Sequence, residues 1–290
     1  MEKQHRINWR KGMEITPEIF IQSDNYHIAA RKLLERLAAS RLYGIFPNSN
    51  FMIDYELHNN HIEIKISNCI ALLRDGSVIN IQDKTSFKSE LPLDETSEYY
   101  GILSVIPDNK QFIDENALHI VSQYELSFKK TNETIETGIP VLKIFKKQEE
   151  WEADTNYIPP VMALNSVSSL MNKYLDIKNV IHKIIDYYDK NDVNYLYLML
   201  LQIELNHFSD KESPEALMLL MQKFCLIFQE YLKTVKEIDT LQNMKKFRDI
   251  AYHHHEIAKI LDTGYEYLIE IVKILESKPV EIPEIEEINV

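Results

Sequence analysis

Glycine is scarce in this sequence, with six residues in a chain of 290. Nucleotide-binding enzymes build their phosphate loops on closely spaced glycines, because a residue without a Cβ lets the backbone approach the phosphate. The sequence contains no P-loop, no dinucleotide fingerprint and no Gly-x-Ser-x-Gly elbow. Its carboxylates also lack a spacing that marks a general acid and base. We therefore expect a protein that is not an enzyme, with no catalytic residues and no cofactor.

Positive charge is also in short supply. The chain has 32 lysines and arginines against 45 aspartates and glutamates, which gives a formal net charge of −13. This excess of negative charge repels a phosphate backbone unless the basic residues are strongly segregated. The basic pairs Lys129-Lys130 and Lys146-Lys147 are too short to form such a surface. The composition therefore predicts that nucleic acid is not a partner.

Cysteines and long apolar runs are few as well. Cys69 and Cys225 each lie in an apolar run, which predicts two buried free thiols rather than a disulfide. No apolar run approaches the roughly 18 to 20 residues that span a bilayer. The polar start of the chain, Met1 to Arg6, does not resemble a signal peptide. We expect a cytoplasmic protein that does not insert directly into a membrane.

The front of the chain, residues 1–158, carries the signals of strands. Isoleucines alternate with polar residues from His61 to Ser67, a period of two that places one face on a core and the other in water. Phe51 to Leu57 precedes it across Asn59-Asn60, as in a hairpin. Residues 25–41 lack glycine and proline and predict a helix inserted before the sheets. Several short strands at close spacing favour an antiparallel β-sandwich.

The rear of the chain, residues 159–278, carries the signals of helices. Apolar residues recur at alternating spacings of three and four, which is a heptad pattern and predicts an antiparallel helical bundle. The seam residues are Leu170, Tyr174, Ile177, Ile181, Ile184, Phe224, Phe228 and Tyr231. Such seams suit packing within one chain and packing between chains equally. The predicted class is thus α+β with two domains, followed by an extended acidic tail over 279–290.

Three consecutive histidines, His253 to His255, invite a metal interpretation. Adjacent side chains on a helix diverge by about 100°, so the three cannot converge on one ion. The pattern His-Glu-x-x-His is absent from the sequence. We expect this run to form a polar surface turn, and we predict no metal site.

Three segments, in order along the chain, resemble the TssK family of the type VI secretion baseplate. The first opens with Trp9, Gly12 and Met13 and continues through Pro17, Phe20 and Tyr26. It is similar to the family's opening, although Glu18 and Ile19 replace the usual glutamine and histidine. The second combines Tyr43-Gly44-Ile45 with the turn Leu73-Arg74-Asp75-Gly76, and the third is Tyr157-Ile158-Pro159-Pro160 before the first long helix.

The resemblance implies a structural adaptor that forms a homotrimer and links baseplate wedge proteins to other components of the machine. It also implies a contact with the wedge through Trp9, Gly12, Met13, Pro17, Phe20 and Tyr26. The alternative is that Trp9 and Phe20 pack against the edge of the sandwich. The segment with Tyr157, Pro159 and Pro160 would form the interdomain joint. Typical members continue past the bundle into a further C-terminal domain that contacts a membrane complex, whereas this sequence stops at Val290, just after the last predicted helix. We therefore expect a short variant of the family, in which contact with a membrane-complex protein requires another part of the chain, such as the tail.

Two other functions are compatible with the same patterns. A phage-like receptor-binding or carbohydrate-binding tail protein would share the sandwich and would show exposed aromatic residues across one sheet face. A hydrolase without a recognisable motif would instead need a deep pocket in which histidine and carboxylate groups converge.

Overall fold

The computed structural model describes residues 12–14, 16–39, 43–58, 60–92, 98–112, 120–148, 150–187, 195–234 and 245–277. Trp9 and the predicted tail over 279–290 lie outside these residues. The chain forms two compact units. The first comprises residues 1–170 together with 254–257, and the second comprises 171–253 together with 258–290.

Ten strands of the first unit, within the described residues, form three antiparallel sheets. One sheet has the order β1-β4-β5, another β2-β3-β6, and the third β10-β9-β7-β8. The strands are β1 (Gly44–Ile45), β2 (Met52–Leu57), β3 (His61–Ser67), β4 (Cys69–Leu72), β5 (Val78–Ile81), β6 (Thr85–Glu90), β7 (Tyr99–Phe112), β8 (Ile120–Lys130), β9 (Ile139–Lys147) and β10 (Glu150–Ala153).

The alternating pattern in β3 shows how the sheets acquire their core. Ile62, Ile64 and Ile66 are fully buried, while the residues between them lie at the surface. The strand pairs with β2 in antiparallel register from Met52↔Ser67 to Leu57↔Ile62, which confirms the predicted hairpin. Burying one such isoleucine side chain contributes about 1.5–3 kcal/mol, so a one-residue slip in register would lose several of these contributions at once.

The first helix, α1 (Pro17–Ala39), begins eight residues earlier than the predicted start at residue 25. Proline at the first helical position already has the required φ and lacks an N–H that would be unsatisfied there. The Thr16 carbonyl oxygen accepts hydrogen bonds from the backbone N–H groups of Ile19 and Phe20, at 3.1 and 3.3 Å. The helix therefore includes most of the segment that the resemblance assigned to partner contact.

The segment after β10 returns into the first unit instead of leaving it. Pro159 and Pro160 are buried. The backbone N–H of Ile45 donates to the Pro160 carbonyl at 2.9 Å, and that of Met162 donates to the Ile45 carbonyl at 2.9 Å. These bonds form a parallel bridge between Ile45 and Val161. The residues predicted as an interdomain joint thus lie within the first unit, which extends to Leu170.

The second unit is helical. Its helices in the described residues are α2 (Ser168–Tyr187), whose first turn belongs to the first unit, α3 (Tyr195–His207), α4 (Pro214–Thr234) and α5 (Ile257–Glu276). Phe224, Phe228 and Phe247 are fully buried. A Cβ on Gly264 would lie 2.5 Å from the Phe247 ring, so glycine admits that ring against α5. Together with the antiparallel sheets, these helices confirm the predicted α+β class.

Ion pairs show how the helices of the second unit run. Lys173 bonds to Asp262, and ten residues further along α2 Lys183 bonds to Glu276 at 3.1 Å. Helices α2 and α5 therefore run in the same direction, which the long connection from α4 to α5 permits. In contrast, α3 and α4 are joined by a short loop and run antiparallel.

We predict that Gly44→Ala destabilises the first unit by about 3 kcal/mol. The φ of Gly44 is +131°, and a Cβ there would lie 2.6 Å from the Pro160 carbonyl carbon, which is backbone and cannot rotate away. Urea unfolding followed by circular dichroism measures the loss.

Gly12→Ala is the matched control, because Gly12 also has a positive φ, +82°, but nothing lies within 4 Å of its Cβ position. It should cost only about 1 kcal/mol, the price of the left-handed backbone alone. Equal losses for the two variants would show that the close approach to Pro160 is unimportant.

Candidate interaction surfaces

The start of α1 forms the first candidate surface, which we call the α1 segment (residues 12–26). Phe20 and Ile21 are 58% and 59% exposed, and Pro17 and Gly12 are also exposed. Two further predicted contact residues, Met13 and Tyr26, are half-buried. The Tyr26 ring lies edge-on to the His27 ring, with 5.5 Å between centroids. The described part of this segment therefore offers apolar side chains at a helix start.

The second candidate surface, which we call the α3–α4 face, was missed by the sequence analysis. On α3, Leu196, Leu200 and Ile203 recur with helical spacing and are 66%, 55% and 52% exposed. The neighbouring Tyr197 is 59% exposed. Other residues of the same helix are buried on its opposite side: Leu198, Leu201 and Leu205. A helix that is apolar all round is normally covered on all sides, and this signal was present in the sequence.

Helix α4 extends this face. Leu219 and Leu226 are 49% and 54% exposed, and each lies one turn from Lys223. The Lys223 ammonium bonds to the Glu204 carboxylate of α3 at 2.5 Å, which joins the two helices at this side. The exposed leucines of both helices therefore lie on the side of the helices that this ion pair joins.

The predicted seam residues lie elsewhere. Leu170, Tyr174, Ile177, Ile181, Ile184, Phe224 and Phe228 are all buried within the single chain, and the Tyr231 side chain lies outside the described residues. Tyr174 also donates a hydrogen bond to the Phe208 carbonyl oxygen at 3.1 Å. These side chains pack the interior, so the apolar contacts available to a second chain come from other faces of the helices.

A partly buried polar cluster, which we call the Tyr43 cluster, consists of Tyr43, Arg74, His254 and His255 in the first unit. Arg74 donates to the Tyr43 hydroxyl at 2.7 Å, and its guanidinium carbon lies 4.4 Å from the Tyr43 ring centroid. Nε2 of His255 lies 3.0 Å from the Tyr43 hydroxyl and 3.3 Å from Arg74. Because arginine can only donate, this nitrogen accepts. Burial raises the pKa of Tyr43, while the charge of Arg74 acts in the opposite direction.

The histidine run is therefore not a simple polar surface turn. His253 is exposed, but His254 and His255 are half-buried against Tyr43. Nε2 of His254 donates to the Tyr43 carbonyl oxygen at 2.7 Å. The prediction placed the run in a polar surface turn because its partner, Tyr43, lies 211 residues away and no local pattern links the two.

Neither cysteine is a reactive thiol. Burial raises the pKa of both Cys69 and Cys225 to about 12. Neither thiol therefore forms an appreciable amount of nucleophilic thiolate at neutral pH. Their burial confirms the predicted free thiols.

An open groove lies on the sheets of the first unit. It has a volume of about 840 Å³ and runs along β5, β6 and β8. Two aromatic side chains, Phe87 and Tyr124, share its lining with amide and hydroxyl groups. The Tyr124 hydroxyl bonds to the backbone of Asn80 at 3.0 and 3.2 Å, which fixes that ring. No helix in the described part of the chain combines the length and apolar character needed to cross a bilayer.

We predict that His254 makes the fold sensitive to acid. Burial lowers the pKa of His254 from 6.5 to about 4, the bond to the Tyr43 carbonyl opposes this shift, and Arg74 adds to it. Between these pH values the unfolded chain binds a proton that the folded chain does not, so stability falls as the pH falls. The full effect is about 3 kcal/mol.

The measurement is urea unfolding at pH 7 and pH 4.5. His254→Gln keeps an amide donor for the Tyr43 carbonyl but does not titrate, so the loss of stability between the two pH values should shrink. His253→Gln, an exposed neighbour, should behave like the unmodified chain. If His254→Gln and the unmodified chain lose the same stability, protonation of His254 is not the cause.

Comparison with known proteins identifies the fold. No protein-family model and no curated protein matches the sequence. A chain of the type VI secretion TssK–TssF–TssG baseplate subcomplex matches with a TM-score of 0.61 and 15% identity, over 94% of this chain and 99% of that one. The crystal structure of TssK matches with a TM-score of 0.59 and 14% identity, over 93% of this chain and 70% of that one. TssK from the type VI system of EAEC, bound to a nanobody, matches with a TM-score of 0.58 and 15% identity, over 88% of this chain and 69% of that one. The chain therefore has the fold seen in TssK and baseplate structures.

Proposed function

We propose that this chain is a structural baseplate subunit of a type VI secretion machine, acting as an adaptor between wedge proteins and other components in the cytoplasm. The observation that carries the proposal is a common fold over nine-tenths of the chain with structures of TssK and the baseplate. One of these is a chain from a TssK–TssF–TssG subcomplex. The low identity is compatible with this function, because an adaptor needs complementary surfaces rather than a fixed set of catalytic groups.

Self-association into a homotrimer is supported by the α3–α4 face. Its six exposed apolar residues are Leu196, Tyr197, Leu200, Ile203, Leu219 and Leu226. Large contiguous apolar surfaces on soluble proteins usually mark interaction sites. The buried seams are already used within the chain, whereas this face leaves six apolar side chains exposed and available to a second copy. A trimer would also present three copies of the α1 segment at once, and this multivalency raises the effective affinity for a large complex.

The wedge contact is assigned to the α1 segment. Phe20 and Ile21 are neighbours on the exposed first turns of a helix, and aromatic anchors with apolar neighbours dominate the energy of many interfaces. Trp9 precedes them in the sequence and belongs to the same proposed contact. A membrane-complex protein is a further proposed partner, for which the described residues offer no separate surface.

A carbohydrate-binding tail protein is the second candidate, favoured by the groove along β5, β6 and β8. Aromatic rings beside amide and hydroxyl groups suit a sugar, whose apolar face stacks while its hydroxyls form hydrogen bonds. Only two aromatic side chains line this groove, Phe87 and Tyr124. Binding of a soluble oligosaccharide that is lost in Tyr124→Ala would favour this function over the adaptor.

We predict that replacing Leu200 and Ile203 together with lysine converts a trimer into a monomer. Two charges would be buried without partners in the contact between copies, which is strongly unfavourable. Light scattering coupled to size exclusion should give three times the chain mass for the unmodified protein and one times for the double variant.

The matched control carries Met52→Lys, a residue on β2 of the first unit that is 57% exposed and does not belong to the α3–α4 face. It should remain trimeric. Circular dichroism should show unchanged helix content in all three proteins. A double variant that stays trimeric, or an unmodified chain that is monomeric, would contradict self-association through this face.

We predict separately that Phe20→Ala combined with Ile21→Ala weakens binding to the wedge proteins at least tenfold. Truncating two exposed anchors removes contact area but leaves the backbone of α1 intact, because alanine is the best helix former. Co-purification with the co-expressed wedge proteins, followed by titration, measures the effect. Met52→Ala serves as the control for an exposed apolar residue outside the segment. Undiminished binding of the double variant would exclude the α1 segment as the contact.

A further inference from the structure

The tip of the β2–β3 hairpin places two imidazole rings side by side. The backbone N–H of His58 donates to the His61 carbonyl oxygen at 2.9 Å, directly after the Leu57↔Ile62 pair of the ladder. The two histidines therefore face each other across the turn. Their rings are stacked, with 4.4 Å between centroids and 23° between planes.

Glu63 completes a group of three metal-ligating side chains. Residues 61 and 63 are on the outward face of β3, since Ile62 and Ile64 point into the core and are fully buried. The Nε2 atom of His61 lies 3.7 Å from the Glu63 carboxylate. The ligand atoms of His58, His61 and Glu63 all lie within 4.8 Å of one another. This group shares no residue with the α1 segment, the α3–α4 face or the Tyr43 cluster.

The tautomer of His61 is suited to metal binding. Its Nδ1 lies 3.0 Å from the Asn60 side-chain oxygen, which can only accept, so Nδ1 carries the proton. The remaining nitrogen, Nε2, then has a lone pair directed toward the side where Glu63 lies. Metal-bound histidines are commonly oriented in this way, by a hydrogen bond from the other ring nitrogen to a protein oxygen.

We propose that His58, His61 and Glu63 bind one divalent transition-metal ion of the zinc class. Two imidazoles with one carboxylate favour Zn²⁺ and its neighbours over Mg²⁺ or Ca²⁺, which prefer oxygen ligands. Zinc–nitrogen bonds of about 2.0–2.1 Å place tetrahedral ligands roughly 3.3 Å apart. The three donors must therefore close by about 1.5 Å, and the exposed His58 side chain can turn to achieve this.

Charged residues around the site both raise and lower its expected affinity for a metal ion. Lys88 lies 3.7 Å from the Glu63 carboxylate and competes with a cation for it. Glu90 stands opposite His61 in the β3–β6 register, and Glu56 stands opposite Glu63 in the β2–β3 register. The register places both glutamates on the same face as the site, although the Glu56 carboxylate is already bonded to Lys65 at 3.2 Å. Bound metal would hold the two strands together beside the turn of the hairpin.

The test is titration of the full, untagged chain with ZnCl₂ by calorimetry in competition with a chelator of known affinity. We expect one ion per chain. His61→Asn and His58→Asn should each weaken zinc binding at least tenfold, while His253→Asn, an exposed member of the histidine run, should leave the affinity unchanged. Circular dichroism of each variant establishes that it is folded. Cobalt should replace zinc and show the visible absorption of a tetrahedral site, which His61→Asn should abolish.

Three results would overturn the proposal. The first is an unmodified chain that binds no zinc under these conditions, in which case the two rings and Glu63 form only a surface ion pair and stack. The second is binding that is unchanged in both His61→Asn and His58→Asn. The third is binding that is lost in His253→Asn, which would assign the metal to the histidine run.

Discussion

The first unit depends on one close backbone approach, between Gly44 and Pro160. The two backbones are so near that even a methyl group on residue 44 would lie 2.6 Å from carbonyl atoms. This approach allows Ile45 to hydrogen-bond to the chain on both sides of Val161. The hydroxyl of Ser166, fully buried, then donates to the Ile45 carbonyl at 2.9 Å. A two-residue strand therefore holds the segment from Pro160 to Ser166 in place, although that segment lies more than a hundred positions later in the sequence.

Tyr43, the residue immediately before this strand, bonds to the segment 254–257 of the first unit. The Tyr43 carbonyl accepts from His254, and the Tyr43 hydroxyl bonds to His255 and Arg74. Since residues 171–253 and 258–290 form the second unit, the chain passes between the two units three times. These polar bonds are partly buried, so breaking one leaves a partly desolvated group without its partner, which adds to the cost of losing the bond itself.

Much of this fold was predictable, and what was not predictable has a physical reason. The isoleucines of β3 and the seams of α2 and α4 are local periodic patterns, and such patterns report which face of an element is buried. Gly44 matters because its backbone lies against that of Pro160. A local sequence pattern carries no information about a contact between residues more than a hundred positions apart. The prediction for the histidine run was incomplete for the same reason, because its partner Tyr43 lies 211 positions away in the sequence. The start of α1 was missed although Pro17 is a strong local signal, because the segment around it was interpreted as a contact rather than as a helix. The hairpin itself was predicted, but the pairing of His58 with His61 and Glu63 depends on how the side chains turn at its tip.

In the second unit, the apolar residues that pack the interior and those that remain exposed lie on different sides of helix α3. A helix that only needed to pack within its own chain would place polar residues opposite Leu198, Leu201 and Leu205. Helix α3 instead places leucine, tyrosine and isoleucine there, and their exposure gains nothing for a lone molecule, because burial in another apolar surface is what makes such side chains favourable. The Lys223–Glu204 bond in the middle of this face is exposed and so contributes little to stability. Once covered, the same pair would be costly unless it stayed bonded, which would fix the register of a partner. The composition of α3 thus supports the proposal that another chain covers this face.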